Sequence, residues 1–157
     1  MFLKLSGVTG ESKDRVHTQE IDILSWDWGM SNFATGHVGG GAGAGKVSVQ
    51  DLRVSKRVDN SSPNLLLFCV EGEHFDAALL TVRKAGGQKP VEYLKFKLET
   101  VFITSVSVGC SHYDDSMIEH VSLNFEKVSV DYTPQDEKGM PLVAIPFAWD
   151  IAANNKG

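Results

Sequence analysis

Very little in this chain announces chemistry. Of 157 residues only two are cysteine, Cys69 and Cys110, and they do not form a C-x-x-C pair. That usage argues against a disulfide scaffold and predicts two free, partly buried thiols in a reducing compartment. Basic residues do not dominate either. Fifteen Lys and Arg stand against twenty Asp and Glu, a formal net charge of -5, and the cations are scattered among the acids. A nucleic-acid footprint and an anionic membrane surface are both excluded on that ground. No apolar run approaches the ~20 residues that span a bilayer. The first five residues alternate like a strand, with no basic region leading into an apolar one. A Sec-type signal is therefore not expected, and export would need a machine that takes the protein whole.

Catalytic and ligand motifs are equally scarce. Gly40, Gly45 and Lys46 have the G-x-x-x-x-G-K spacing of a phosphate loop. Val47 follows where Ser or Thr would hold magnesium, and the segment enters a strand, so no helix N-terminus supplies N–H groups to phosphate. Gly39, Gly41 and Ala44 fit a loose dinucleotide fingerprint that fails for the same reason. The five histidines, His17, His37, His74, His112 and His120, lack H-E-x-x-H or H-x-x-x-H spacing, and none lies beside a cysteine. His112 with Asp114 and Asp115 reads as a solvated turn before it reads as a metal site. Glu71 and Glu73 read as surface charges. No G-x-S-x-G elbow appears, and no set of residues supplies nucleophile, base and orienter together. The residues point to a non-enzymatic, mainly β protein without metal or cofactor.

What the chain does have is strands. Val91 to Thr133 predicts two long strands joined by the polar connection Gly109–Met117. Leu94, Phe96, Leu98, Thr100, Phe102, Thr104, Val106 and Val108 share one face at period two, and the other face turns from Tyr93, Lys95, Lys97 and Glu99 to Val101 and Ile103. In the return strand the apolar phase slips at Glu126–Lys127, the mark of a β-bulge. Shorter strands are expected at Phe2–Leu5, Ile21–Trp28, Lys46–Arg57 (with a slip at Gln50–Asp51), Asp76–Lys84 and Ile145–Ile151. Gly7–Gln19 reads as a surface loop, and Ala85–Gln88 and Thr133–Pro141 as turns. One helix is expected, with Ser62 as N-cap, Pro63 in the first turn and Gly72 as its stop. Its run Leu65–Val70 is apolar nearly all round, which predicts burial on more than one side. Gly29–Gly45 is too rich in glycine for regular structure, and a loop this long is usually a lid or a binding arm. No internal repeat or linker divides residues 1–157, so a single domain is expected. Its strands expose more apolar surface than one copy can cover, and closed self-association would cover it.

The order and spacing of several blocks then resemble the Hcp (haemolysin-coregulated) family, inner-tube proteins of the type VI secretion system. These blocks are GESKD (Gly10–Asp14) with His17, EID (Glu20–Asp22), WDWGMS (Trp26–Ser31), GGGAGAGKVSVQDL (Gly39–Leu52), SPNLL (Ser62–Leu66), TVRKAGG (Thr81–Gly87), VEYL (Val91–Leu94), SVSVG (Ser105–Gly109), VSLNF (Val121–Phe125) and VDY (Val130–Tyr132). The resemblance covers nearly the whole chain and implies the plain tube protein, with no appended toxin domain. It implies a β-barrel of two antiparallel sheets with one flanking α-helix, assembled as a hexameric ring. Rings would stack into a hollow tube, capped by a spike protein of the VgrG type, driven out by a contractile sheath and carrying small effector proteins. The bacterial cytoplasm followed by secretion is the implied route. By the same resemblance Asp27 would face the lumen. Phe33 and the glycine arm, with Gly39, Gly40, Gly41, Gly43 and Gly45, would reach a neighbour in the ring or stack, and Leu66 would lie in a ring contact. The competing expectation is a small-ligand-binding or hydrolytic barrel with the glycine loop as its lid. A secreted effector acting alone is a third.

Overall fold

A computed structural model describes residues 1–32, 47–84, 90–110 and 117–157. The alternating segments all form strands, and so does Met30–Asn32, which corrects the expectation that nothing from Gly29 onward to Gly45 is regular: β1 Phe2–Leu5, β2 Ile21–Asp27, β3 Met30–Asn32, β4 Val47–Val49, β5 Leu52–Arg57, β6 His74–Arg83, β7 Glu92–Gly109, β8 Ile118–Tyr132 and β9 Ile145–Asp150. The one helix, α1, spans Ser62–Glu71 and lies between β5 and β6 in sequence. All strand pairs are antiparallel. The larger sheet runs β5-β2-β1-β6-β7-β8-β9, and β5 also pairs with β8. That last pairing closes six strands into a barrel and leaves β9 outside it. A second, two-stranded sheet is made by β3 and β4.

Closure depends on one edge of β8 having two partners. Residues 118–123 pair with β5, and residues 127–132 pair with β9. The division falls at the predicted slip. Glu119, Val121, Leu123 and Phe125 point inward before it, and Val128 after it. The slip does not change the register against β7, where Val101↔Phe125 and Glu99↔Lys127 belong to one continuous pairing. β7 slips at the same level, through Thr100 at φ 52°. Its buried residues are therefore Phe96 and Leu98 from the first face, then Val101 and Ile103, where the opposite face was expected to turn apolar; Thr100, Phe102, Thr104, Val106 and Val108 of the first face are not buried. A change of register does occur between Ile103 and Ser105, where β7 holds one extra residue.

Two shorter slips also resolve. In β2 the register shifts between Ile23 and Ser25, so Ile21 and Ile23 point inward, Leu24 is turned out, and Trp26 and Trp28 turn back in. The slip at Gln50–Asp51 is a full break, because β4 belongs to the small sheet and β5 to the barrel. The barrel is filled by aliphatic and aromatic side chains from every strand, among them Leu3, Ile21, Leu52, Leu80, Leu98 and Leu123. Trp26 and Trp28 lean edge-on against Phe96, with ring centroids 4.9 and 5.6 Å away. The indole N–H groups of Trp28 and Trp149 find no acceptor among the described residues.

Helix α1 departs from expectation at its start. Ser61, not Ser62, holds the cap position, and no side chain caps the helix. The Ser62 hydroxyl is engaged below the helix. It donates to Glu119 Oε2 at 2.8 Å and accepts from Lys56 Nζ at 3.1 Å. Lys56 and Glu119 are themselves joined at 2.8 Å, and both are 0% exposed. Lys56 also reaches Asp59 at 2.9 Å. Gly72 ends the helix as expected, at φ 69°, with its N–H bonded to the Phe68 carbonyl. The predicted burial on several sides is not found within the chain. Leu65 is buried, Phe68 and Cys69 are half-buried, and Leu66, Leu67 and Val70 are exposed. The second cysteine, Cys110, is exposed, not partly buried as expected.

Residues 7–20, expected as a surface loop, are fastened to the barrel. Gly10 lies so close to the next strand that an added Cβ would sit 2.4 Å from the Glu20 carbonyl oxygen. His17 is buried. Its ring stacks on Phe2 at 4.2 Å, and its nitrogens lie 2.8 and 3.0 Å from Glu20 and Glu92. Asp14 accepts from both terminal nitrogens, Nη1 and Nη2, of the Arg83 guanidinium and from the backbone N–H groups of Val16 and His17. The Arg83 contact holds the Asp14 carboxyl well below the usual carboxylate range. Burial raises the Glu92 pKa, and Lys95 with His17 outweighs it, so that carboxyl is also lowered.

Two outcomes are expected. Lys56→Met strands the Glu119 carboxylate in the barrel, and urea denaturation should show a loss of about 3–5 kcal/mol. A carboxyl with a depressed folded pKa stabilises the fold above its unfolded value, about 3.9, and loses that effect as pH falls through its folded one. The urea midpoint of Asp14→Asn should therefore lie below the parent's at pH 7 and converge on it below pH ~4. A constant gap down to pH 2 would show that the Asp14–Arg83 pair is not the source.

Candidate functional site

The barrel carries two kinds of outer surface. The first is a polar sheet face across β2, β5, β8 and the end of β7. Outward residues align in rows, because each pair is a register partner. One row is Asp27, Arg53, Ser122 and Ser105, and the next is Ser25, Ser55, His120 and Ser107. Ser55 Oγ lies 2.7 Å from His120 Nδ1. Beside these rows Asp51 accepts from Thr104 at 2.6 Å and from Asn124 at 2.7 Å. Hydroxyls, amides and charges of both signs cover this face, with no large apolar side chain in the two rows. Asp27 is its exposed acid on β2, set between two half-buried tryptophans that fix the strand end.

The Ser55–His120 contact pairs a hydroxyl with an imidazole. A serine nucleophile needs a base that is itself oriented, plus donors for the oxyanion. Among the described residues the other nitrogen of His120 has no carboxylate, and no group of three or more metal-ligating side chains is present.

The second kind of surface is apolar. On α1, Leu66 is 44% exposed and Val70 85% exposed, one turn apart. At the C-terminal end Met140, Leu142, Val143, Ile145 and Phe147 are all exposed. The expected last strand is present as β9, but its burial does not alternate: residues 145–147 are exposed, and Trp149 and Ile151 pack toward the core. β9 is the terminal strand of its sheet. Between it and the small sheet runs a groove of about 340 Å³ lined by Met30, Ser31, Asn32, Val47, Phe147 and Trp149. Asn32 and Val47 are the residues that bracket segment 33–46.

Of the residues singled out from sequence, Asp27 and Leu66 are both exposed, on different elements, and the structure does not bring them together. Phe33, Gly39, Gly40, Gly41, Gly43 and Gly45 lie outside the described residues, as do His37, His112, Asp114 and Asp115. Sequence reasoning missed the polar rows and the buried Lys56–Glu119 pair. A signal for the pair was present. Lys56 continues the inward phase of Leu52 and Val54, and Glu119 begins that of Val121 and Leu123. Opposite charges at inward positions of two strands are expected to meet.

A closed, filled barrel with a polar sheet face and uncovered apolar flanks is a structural building block. Comparison places it more narrowly. Residues 2–132 match the family described as "Type VI secretion system effector, Hcp". The chain is 49% identical over 155 residues to Protein hcp1 of Pseudomonas aeruginosa, covering 98% of this chain and 96% of that one. A solved structure described as a type six secretion system protein superposes with TM-score 0.93 at 30% identity, covering 99% and 98% of the two chains. Hcp1 from Salmonella typhimurium does so with TM-score 0.82 at 37% identity, covering 99% and 97%. This chain belongs to the Hcp family of type VI secretion proteins, and its role in that system is structural.

Leu66→Asp should leave the fold intact, since the side chain lies on the exposed side of α1 and outside the buried core. Circular dichroism and the urea midpoint should stay near the parent's. If this helix face is covered by another copy, the same variant should lower the mass measured by light scattering. Loss of the folded signal would instead show that Leu66 supports the core.

Proposed function

We propose that the protein is the repeating subunit of the type VI tube: six copies close into a ring, and rings stack into a hollow tube. The observation that carries this reading is the unequal outer surface. Exposed apolar groups on α1 and on residues 140–147 are more than a solitary small protein normally shows. A ring covers such groups without open-ended growth. The polar rows on β2, β5, β8 and β7 would then face the lumen, with Asp27 among them. A lumen should hold cargo through polar contacts that are individually weak, so that cargo is released after delivery. Partners in this reading are further copies, the VgrG-type spike, the contractile sheath and small effectors, and the route is synthesis in the bacterial cytoplasm followed by expulsion. The glycine arm from Phe33 to Gly45 would contact a neighbouring copy. Leu66 would lie in a contact between copies.

The alternative, a ligand-binding or hydrolytic barrel, needs convergent polar groups around an internal cavity. The barrel interior is instead packed with aliphatic and aromatic residues. Its charged members, Lys56 and Glu119, are bonded to each other.

Light scattering on the purified protein should give a mass six times 17.1 kDa at micromolar concentration, and negative-stain images should show rings with a central hole. A monodisperse monomer would overturn the proposal. Arg53→Glu should alter retention of co-purifying cargo while leaving the ring mass unchanged, because Arg53 lies exposed on the polar face. A change in ring mass would place Arg53 at a subunit contact.

A further inference from the structure

The barrel is closed by the pairing of β5 with β8, two strands some sixty residues apart in sequence. Register in such a seam needs a cause. The inward partners are Leu52↔Leu123, Val54↔Val121 and Lys56↔Glu119. A slip by one residue is forbidden, since it would turn every apolar side chain outward. A slip by two residues is different. It keeps each side chain on its own face, and it sets Val54 against Leu123 or Leu52 against Val121. Those aliphatic pairs are as good as the native ones, so burial alone does not select the register.

The charged pair does. Slipped one way, Lys56 would face Val121 and Glu119 would face Val58. Slipped the other way, Glu119 would face Val54 and Lys56 would face Met117. Either shift parts two groups that are each 0% exposed in the native barrel, leaving Glu119 unpaired and Lys56 with Asp59 alone. Ser62 adds a second constraint. Its hydroxyl bonds to both Glu119 and Lys56, so the start of α1 can sit in this place only when the two meet. Asp59 reinforces it, because its carboxylate takes Lys56 and its N–H donates to Ser62.

We infer that the buried Lys56–Glu119 pair is a register key: it selects one closure of the barrel and one seat for α1 among alternatives that burial leaves nearly equal. The outward rows depend on that choice. Arg53 faces Ser122 and Ser55 faces His120 only in the native register, so a slipped seam rebuilds the polar face.

Disulfide trapping tests this directly. With Cys69 and Cys110 replaced by serine, a cysteine pair at positions 55 and 120 reports the native register, and a pair at 55 and 122 reports a two-residue slip. Directly opposed Cβ atoms lie within disulfide reach, whereas diagonal ones, about 7–8 Å apart, do not. In the parent only the 55–120 bond should form. In Lys56→Met/Glu119→Leu the barrel should still fold, because an apolar pair fills the site. The 55–122 bond should then rise at least tenfold over its level in the parent. The reversed pair, Lys56→Glu/Glu119→Lys, should return trapping to the 55–120 bond. Native-only trapping in the apolar double variant overturns the inference, since other contacts would then set the register. Failure of that variant to fold overturns it as well, because the pair would be needed for stability and not for choice. A reversed pair that still slips does the same.

Discussion

A single ion pair between two strand partners, sealed from water, is the constraint around which this barrel is arranged. Lys56 and Glu119 sit side by side where β5 meets β8, and among the described residues it is that meeting that makes a cylinder out of a sheet. A buried charge pair is weak as a source of stability, since desolvation offsets most of the Coulomb gain. Its effect is selective. It penalises every arrangement that separates the partners, and here those arrangements include a displaced helix as well as a displaced strand. The Ser62 hydroxyl carries the constraint from sheet to helix. The cap position itself belongs to Ser61, whose hydroxyl is donated to Asp59 and so does not cap α1.

The other organising feature is the loss of phase within strands. A regular strand offers one face to the core and one to water. β7 and β8 change faces together at Thr100 and Glu126–Lys127, so the two ends of the hairpin serve different layers. One end closes the barrel against β5, and the other carries β9 beyond it. The shift in β2 turns Leu24 out and the two tryptophans in, which anchors Asp27 at the rim of the polar face. Irregularities that weaken a ladder locally are what allow a chain this short to present both a polar sheet and apolar flanks.

Much of this was legible in the residues, and the reasons differ by element. Period-two alternation located every barrel strand, since burying one sheet face demands it. The break at Gln50–Asp51 and the slip at Glu126–Lys127 were visible as lost alternation. Their consequences were not, because phase in one strand says nothing about the partner strand. In β7 the turn of the opposite face to Val101 and Ile103 was visible too, but not that the first face gives up the core at Thr100. A left-handed threonine leaves no mark in a pattern of apolar letters. The fastening of residues 7–20 was also hidden. Asp14, His17 and Arg83 look like solvated charges until tertiary structure brings β6 and β7 beside them. Exposure of Leu66 and Val70 was hidden for the opposite reason, because an apolar helix reads as buried whether its cover comes from its own chain or from another.

That last ambiguity bears on function. In a lone domain, apolar residues on α1 and on residues 140–147 would be a liability, free to associate without limit. They are tolerable if the surface that meets them is fixed in number and orientation. Fixing it requires that each copy present the same outline, and the outline follows from how the barrel is closed. A seam free to slip would give copies of unequal shape, and a closed ring accepts no unequal members. In the proposed ring, the demand for one register inside the barrel and the demand for one stoichiometry outside it are therefore the same demand, met by two charges placed where no water reaches them.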